Sequence, residues 1–125
     1  MGNPLNRTAV AYPSQVYAKT PDVVKLRNPF GPGAIFDIDI TALDAGVTIT
    51  VTIERLDPVS QVPTTILASA ALNATGHTVL KVYPALTASA NTVVNDVLPA
   101  EYRIKSVHGG SAGNATYSIG VSYIL

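Results

Sequence analysis

Residues 47–54, Val-Thr-Ile-Thr-Val-Thr-Ile-Glu, constrain this chain more than any other stretch. Successive side chains of an extended strand point to opposite faces. Val47, Ile49, Val51 and Ile53 therefore share one side, and Thr48, Thr50, Thr52 and Glu54 the other. At helical spacing the same apolar residues would spread around the whole cylinder, and β-branched Val, Ile and Thr suit a pleated surface better than a helix. One face must meet a core, and the other meets water or a partner.

The alternation recurs along the chain. Val23-Val24-Lys25-Leu26-Arg27 reads as a short strand, closed by Asn28-Pro29 and the Gly31-Pro32-Gly33 turn. Ala34, Phe36, Ile38 and Ile40 then alternate with Ile35, Asp37, Asp39 and Thr41, and Leu43-Asp44-Ala45-Gly46 turns into the stretch above. After Asp57-Pro58 and Val62-Pro63, residues 64–72 resume with Ile66, Ala68, Ala70 and Leu72 on one face, and Thr78, Leu80 and Val82 give the core side of the next strand. Residues 84–99 break the rhythm and read as an irregular crossover, with a helical turn possible over 85–90. Residues 101–108 return to strand with Tyr102 and Ile104 inward, and 109–114 form a glycine-rich hairpin loop. Ala115, Tyr117, Ile119, Val121, Tyr123 and Leu125 mark the inner face of the last strand. The expected fold is all-β: a single antiparallel β-sandwich over residues 23–125, of immunoglobulin-like or jelly-roll type, preceded by an extended N-terminal arm.

The arm is read over residues 1–22, where Pro4, Pro13 and Pro21 stand among polar residues and oppose both helix and central strand. Fully extended, such a segment spans roughly 70 Å, enough to reach a neighbouring subunit. Its candidate contact residues are Arg7, Tyr12, Val16, Tyr17 and Lys19. Charge supports a docking role. Residues 1–27 carry Arg7, Lys19, Lys25 and Arg27 against Asp22 alone, whereas the remainder has more acids than bases. That imbalance is too sparse for a nucleic-acid footprint.

Only 13% of the 125 residues are charged, against about 25% in ordinary soluble domains. An exterior of Thr, Ser and Ala with zero net charge is what a surface covered in an assembly would carry, and equally what an uncharged stable β domain would carry. In that setting Thr48, Thr50 and Thr52 become candidate partner-binding residues. The chain has no cysteine, which excludes disulfides and Cys-based metal or redox sites. Neither a secretory apolar run nor a stretch of roughly 18 apolar residues is present, so a soluble chain with no membrane partner is expected.

Catalytic signals are sparse. Asp37 and Asp39 share a strand face, as a glycosidase pair or a calcium site would require, but any solvent-facing strand gives the same spacing. His77 and His108 flank turn glycines with no His or carboxylate at ligand spacing. No nucleophile elbow, P-loop or dinucleotide fingerprint occurs. Neither enzyme activity nor a cofactor is expected.

Lys81-Val82-Tyr83-Pro84-Ala85-Leu86-Thr87, Asn95-Asp96-Val97-Leu98-Pro99, Tyr102-Arg103, Val107-His108-Gly109-Gly110 and Thr116-Tyr117-Ser118-Ile119-Gly120-Val121-Ser122 together give the chain a family likeness. It resembles small proteins from the structural gene modules of tailed bacteriophages, of the head decoration or cement type, over roughly the last 90 residues. The resemblance implies a non-enzymatic virion protein, made in the host cytoplasm and bound as a homotrimer to the major capsid protein on the outer surface of the capsid. The alternative is a tail or baseplate component with an adhesion or glycan-binding role, for which Tyr12, Tyr17 and the exposed side of the last strand are the candidate platform.

Overall fold

The alternating segments fold into nine strands in a computed structural model that describes residues 7–29 and 31–124. In chain order they are β1 (Thr8–Tyr17), β2 (Val24–Arg27), β3 (Gly33–Leu43), β4 (Val47–Leu56), β5 (Pro63–Ala68), β6 (Gly76–Val82), β7 (Val93–Val94), β8 (Glu101–Gly110) and β9 (Ala115–Ile124). They form a five-stranded sheet, ordered β1-β9-β3-β6-β7, and a four-stranded sheet, ordered β2-β8-β4-β5. Among the described residues there is no helix.

The pairings identify the topology. β1 pairs with β9, β2 with β8, β3 with β6 and β4 with β5, all antiparallel. A chain folded back at 57–62 and then wound up gives this nested pattern, which is the jelly roll of the two sandwich types expected. β7 is an addition, two residues running parallel to β6 through Lys81↔Val93 and Val82↔Val94.

Between the sheets lies an apolar layer. β3 contributes Phe36, Ile38 and Ile40, and β4 contributes Val47, Ile49, Val51 and Ile53. Leu80 and Val82 come from β6, Tyr102 and Ile104 from β8, and Tyr117, Ile119 and Val121 from β9. Each such side chain taken from water contributes about 1.5–3 kcal/mol, offset against the entropy of ordering the chain. Gly46 and Gly110 set the spacing where β4 begins beside the end of β8. Both have positive φ, and a Cβ on Gly110 would lie 2.1 Å from the Gly46 carbonyl oxygen.

The structure corrects the arm. Residues 8–17 are the first strand of the roll, with Ala11, Tyr12 and Tyr17 buried, and only residues 1–6 of the expected arm lie outside the described residues. Prolines did not prevent this because β1 is an edge strand, and Pro13 falls in a register shift between Tyr12 and Gln15 where no ladder bond is required. The Tyr12 hydroxyl lies 2.8 Å from the Asp22 carbonyl oxygen and 3.1 Å from that of Ile104. The Tyr17 hydroxyl donates to the Pro13 carbonyl at 2.7 Å, while its ring packs on Tyr117 with centroids 4.6 Å apart.

Three smaller differences follow from the winding. In β5 the inward residue is Leu67, not Ile66 or Ala68, because Leu67 stands opposite the inward Ile53 and Ala68 opposite the outward Thr52, while Ile66 falls in the register shift between Ile53 and Glu54. Ser69 is buried beyond it, where its hydroxyl accepts the Val51 N–H at 2.9 Å. Residues 111–114 are not a hairpin loop within one sheet but a bridge from the four-stranded sheet to the five-stranded one. The 84–99 crossover contains β7 and no helical turn, since Asn95 accepts the Ala85 N–H and Ala85 sits at positive φ.

Candidate interaction surface

Each sheet turns one face to the core and one outward, so the candidate surfaces are two outer faces and the loops at the ends. On the four-stranded sheet the outward residues of β4 are Thr48, Thr50, Thr52 and Glu54, opposite Gly109, Val107, Lys105 and Arg103 of β8. Thr48 and Thr50 are half-buried, but Thr52 is 7% exposed and Glu54 5%. Charge pairing explains the covering. The Arg103 Nε donates to Glu54 Oε1 at 2.6 Å, and Lys105 Nζ stands 3.5 Å from Glu54 Oε2. Long cationic side chains laid over a carboxylate also cover their neighbours. Thr52 is therefore removed as a contact residue, whereas Thr48 and Thr50 keep part of their surface.

The arm candidates divide in the same way. Arg7 is exposed, and its carbonyl accepts the Tyr123 N–H at 2.7 Å. Val16 is 59% exposed and Lys19 is exposed, so both present their side chains to solvent. Tyr12 and Tyr17 are not, since both are core residues of this chain. Lys19 borders an open cleft of about 320 Å³ with Thr20, His108 and the 109–113 loop. Val10, 68% exposed on the same strand, is a surface apolar residue that no periodicity marked.

The outer face of the five-stranded sheet carries Asp37, Asp39 and Thr41 of β3 beside Thr116, Ser118, Gly120 and Ser122 of β9. A Cβ at Gly120 would touch nothing within 4 Å, and the missing side chain leaves a shallow hollow between Val10, Asp37 and Ser122. The β3·β6 register brings His77 beside these carboxylates, with Nε2 2.9 Å from Asp37 Oδ1. Sequence spacing gave His77 no carboxylate because the pairing joins residues 40 positions apart. Both groups are well exposed, so the pair is a surface contact of modest energy. Among the described residues no three His, Cys, Asp or Glu side chains group as a metal site.

Polar chemistry does gather at one buried place. The Tyr117 hydroxyl lies 2.8 Å from Ser106 Oγ and 3.0 Å from His108 Nε2, and the His108 N–H donates to Thr20 Oγ1 at 2.9 Å. Burial pushes the Tyr117 phenol up to about 12 and holds the His108 imidazole below its ordinary value. His108 Nδ1 is buried without a hydrogen-bond partner. These groups tie the linker after β1 to β8 and β9: Ser106 and Tyr117 face the inside of the sandwich, while His108 and Thr20 also line the open cleft beside Lys19.

The fold and its surfaces define a jelly-roll sandwich with one outer face rich in Thr, Ser and Gly and one that also carries Lys25, Arg27, Arg103 and Lys105. No family model, no curated protein and no solved structure matches the chain.

Proposed function

We propose that this chain is a structural protein of a tailed-phage virion, a non-enzymatic decoration or cement protein that binds the major capsid protein on the outside of the head and bridges capsid subunits as a homotrimer. The observation that supports it is the broad outer face of the five-stranded sheet, where Thr41, Thr116, Ser118, Gly120 and Ser122 surround Asp37 and Asp39. The opposite face is the more basic, with Lys25, Arg27, Arg103 and Lys105 against Glu54 and Glu101. At the usual rise and spacing the five-stranded sheet gives a face of roughly 600 Å² and the four-stranded sheet, with its short β2 and β5, one of roughly 500 Å², against the ~800 Å² that one partner contributes to a standard interface. Burial of such faces across neighbouring subunits stabilises the bound shell by mass action. A jelly roll hosts capsid and lectin domains alike, so the fold by itself favours neither.

The tail or baseplate alternative with a glycan site loses its aromatic platform. Tyr12, Tyr17, Tyr102, Tyr117 and Tyr123 are all buried, which leaves Tyr83 half-exposed. The test is co-sedimentation of purified protein with capsids that lack it, together with the melting temperature of those capsids. Binding with a raised capsid melting temperature is expected, and its absence at saturating protein would overturn the proposal. Removing residues 1–6 is the appropriate probe of the arm, because a deletion through residue 22 would also remove β1.

A further inference from the structure

The loop between β4 and β5 is tightly organised, yet it displays two valines to solvent. Asp57 Oδ1 accepts the N–H groups of Val59 at 2.8 Å and Ser60 at 2.9 Å, and the Asp57 carbonyl accepts the Gln61 N–H at 2.9 Å. The Asp57 N–H closes the loop onto the Val62 carbonyl at 3.1 Å, and Gln61 takes positive φ. The N–H groups of Ser60 and Val59 hold the Asp57 carboxyl below its ordinary value, so it is ionised. At the tip Val59 is 91% exposed, and at the base of the loop Val62 is 58% exposed. A fixed loop that presents valine to solvent gives up little conformational entropy on binding.

An apolar hollow lies at the same end of the sandwich. Ala34, Ile35, Tyr83, Leu86 and Ile124 line it almost entirely with carbon, and Lys81 stands among them. Its volume of about 260 Å³ is below the ~300 Å³ at which small-molecule sites begin, and suits one or two aliphatic side chains. The register fixes the heights. Leu56 ends β4 next to Arg55, which is opposite Tyr102, and Arg27 at the end of β2 faces Glu101. Only residues 28–32 separate Arg27 from Gly33, which pairs with Ile124, so the tip and the hollow share one end of the roll. The tip extends from the four-stranded sheet, the hollow is built from strands of the five-stranded sheet, and no residue of 57–62 lines it.

We propose that Val59 and Val62 of one copy insert into the hollow lined by Ile35, Leu86 and Ile124 of a second copy, with the Asp57 carboxylate of the first meeting Lys81 of the second. Lys81 is exposed and has no ion pair among the described residues, so the charges at the two surfaces are complementary. Different patches meet on the two partners, which makes the contact heterologous. Because knob and hollow share one height, the contact needs no translation along the strands, which is the condition for a ring rather than a filament when the rotation closes. The contact concerns the free chain, and it holds or fails with no capsid in the experiment.

Sedimentation velocity of the full chain over a wide concentration range tests it. The wild-type chain is expected to associate. Val59→Glu and Lys81→Glu should each weaken association, the first by about tenfold or more, as expected for loss of an anchor residue. Val59 touches so little of its own chain that, at a dilution where the wild-type chain is monomeric, the melting temperature of Val59→Glu should not change. The chain has no cysteine, so a mixture of Val59→Cys and Leu86→Cys chains should give a disulfide dimer between the two variants under mild oxidation. A monomer at every concentration, association unaffected by Val59→Glu, or cross-linking of Val59→Cys only to itself would each overturn the proposal.

Discussion

Tyr117→Phe removes one oxygen atom and should cost more than most core substitutions of its size. The ring stays on Tyr17, while the hydroxyl that serves both Ser106 and His108 is lost. Ser106 is 0% exposed and has no other side-chain hydrogen bond among the described residues, so its Oγ is left unsatisfied at about 1–3 kcal/mol. His108 Nε2 is only part-buried and adds roughly 1 kcal/mol, giving a total of about 2–4 kcal/mol. At this chain length each kcal/mol lowers the melting temperature by roughly 3–5 °C. Urea unfolding at pH 7.5 provides the measurement, with the slope checked for constancy across variants. The decisive variant is Ser106→Ala/Tyr117→Phe. Removing both partners leaves no orphaned hydroxyl, so the double variant should be at least as stable as Tyr117→Phe alone, with a coupling energy of about 1–2 kcal/mol. A loss below about 0.5 kcal/mol for Tyr117→Phe, or additive effects within that error, would refute the argument that this network is satisfied only as a unit.

Acid should weaken the fold through His108. Its folded pKa is depressed by burial, so the unfolded chain binds more protons as pH falls below about 6.5, and stability present at pH 7.5 is lost toward the folded pKa. His108→Gln should flatten stability against pH between 7.5 and 5.5, and an unchanged slope in urea titrations would contradict this. Deleting residues 1–17 removes β1 and uncovers its partner strand, so loss of a cooperative thermal transition is expected, measured by circular dichroism. Val51→Asp places a carboxylate where the side chain is 0% exposed, and no cooperative unfolding should remain in a calorimetric scan.

What was legible in the sequence was local, and what was not legible depended on winding. β3, β4, β8 and β9 alternate cleanly because each keeps one face on a continuous core, and their inward residues Phe36, Val51, Tyr102 and Tyr117 lie where period two puts them. No local pattern says which sheet a strand joins. The link from β8 to β9 is short and glycine-rich like a hairpin, yet it crosses between sheets, and the Asp37–His77 contact exists only once β3 and β6 are neighbours. β1 was hidden for a sharper reason. Its two register shifts bury Ala11 and Tyr12 in succession and then nothing before Tyr17, so it lacks the alternation that marked the other strands. Its partner lies about a hundred residues away, and that closure satisfies a segment which composition alone assigns to an arm. A signal did exist in Tyr12 and Tyr17, since two large aromatic rings in a polar stretch must be covered by something. The ambiguity lay in whether the cover belongs to a neighbour or to the same chain. In a jelly roll the first and last strands are neighbours, so the same residues that suggest a strap onto a partner also suffice to close the roll on itself.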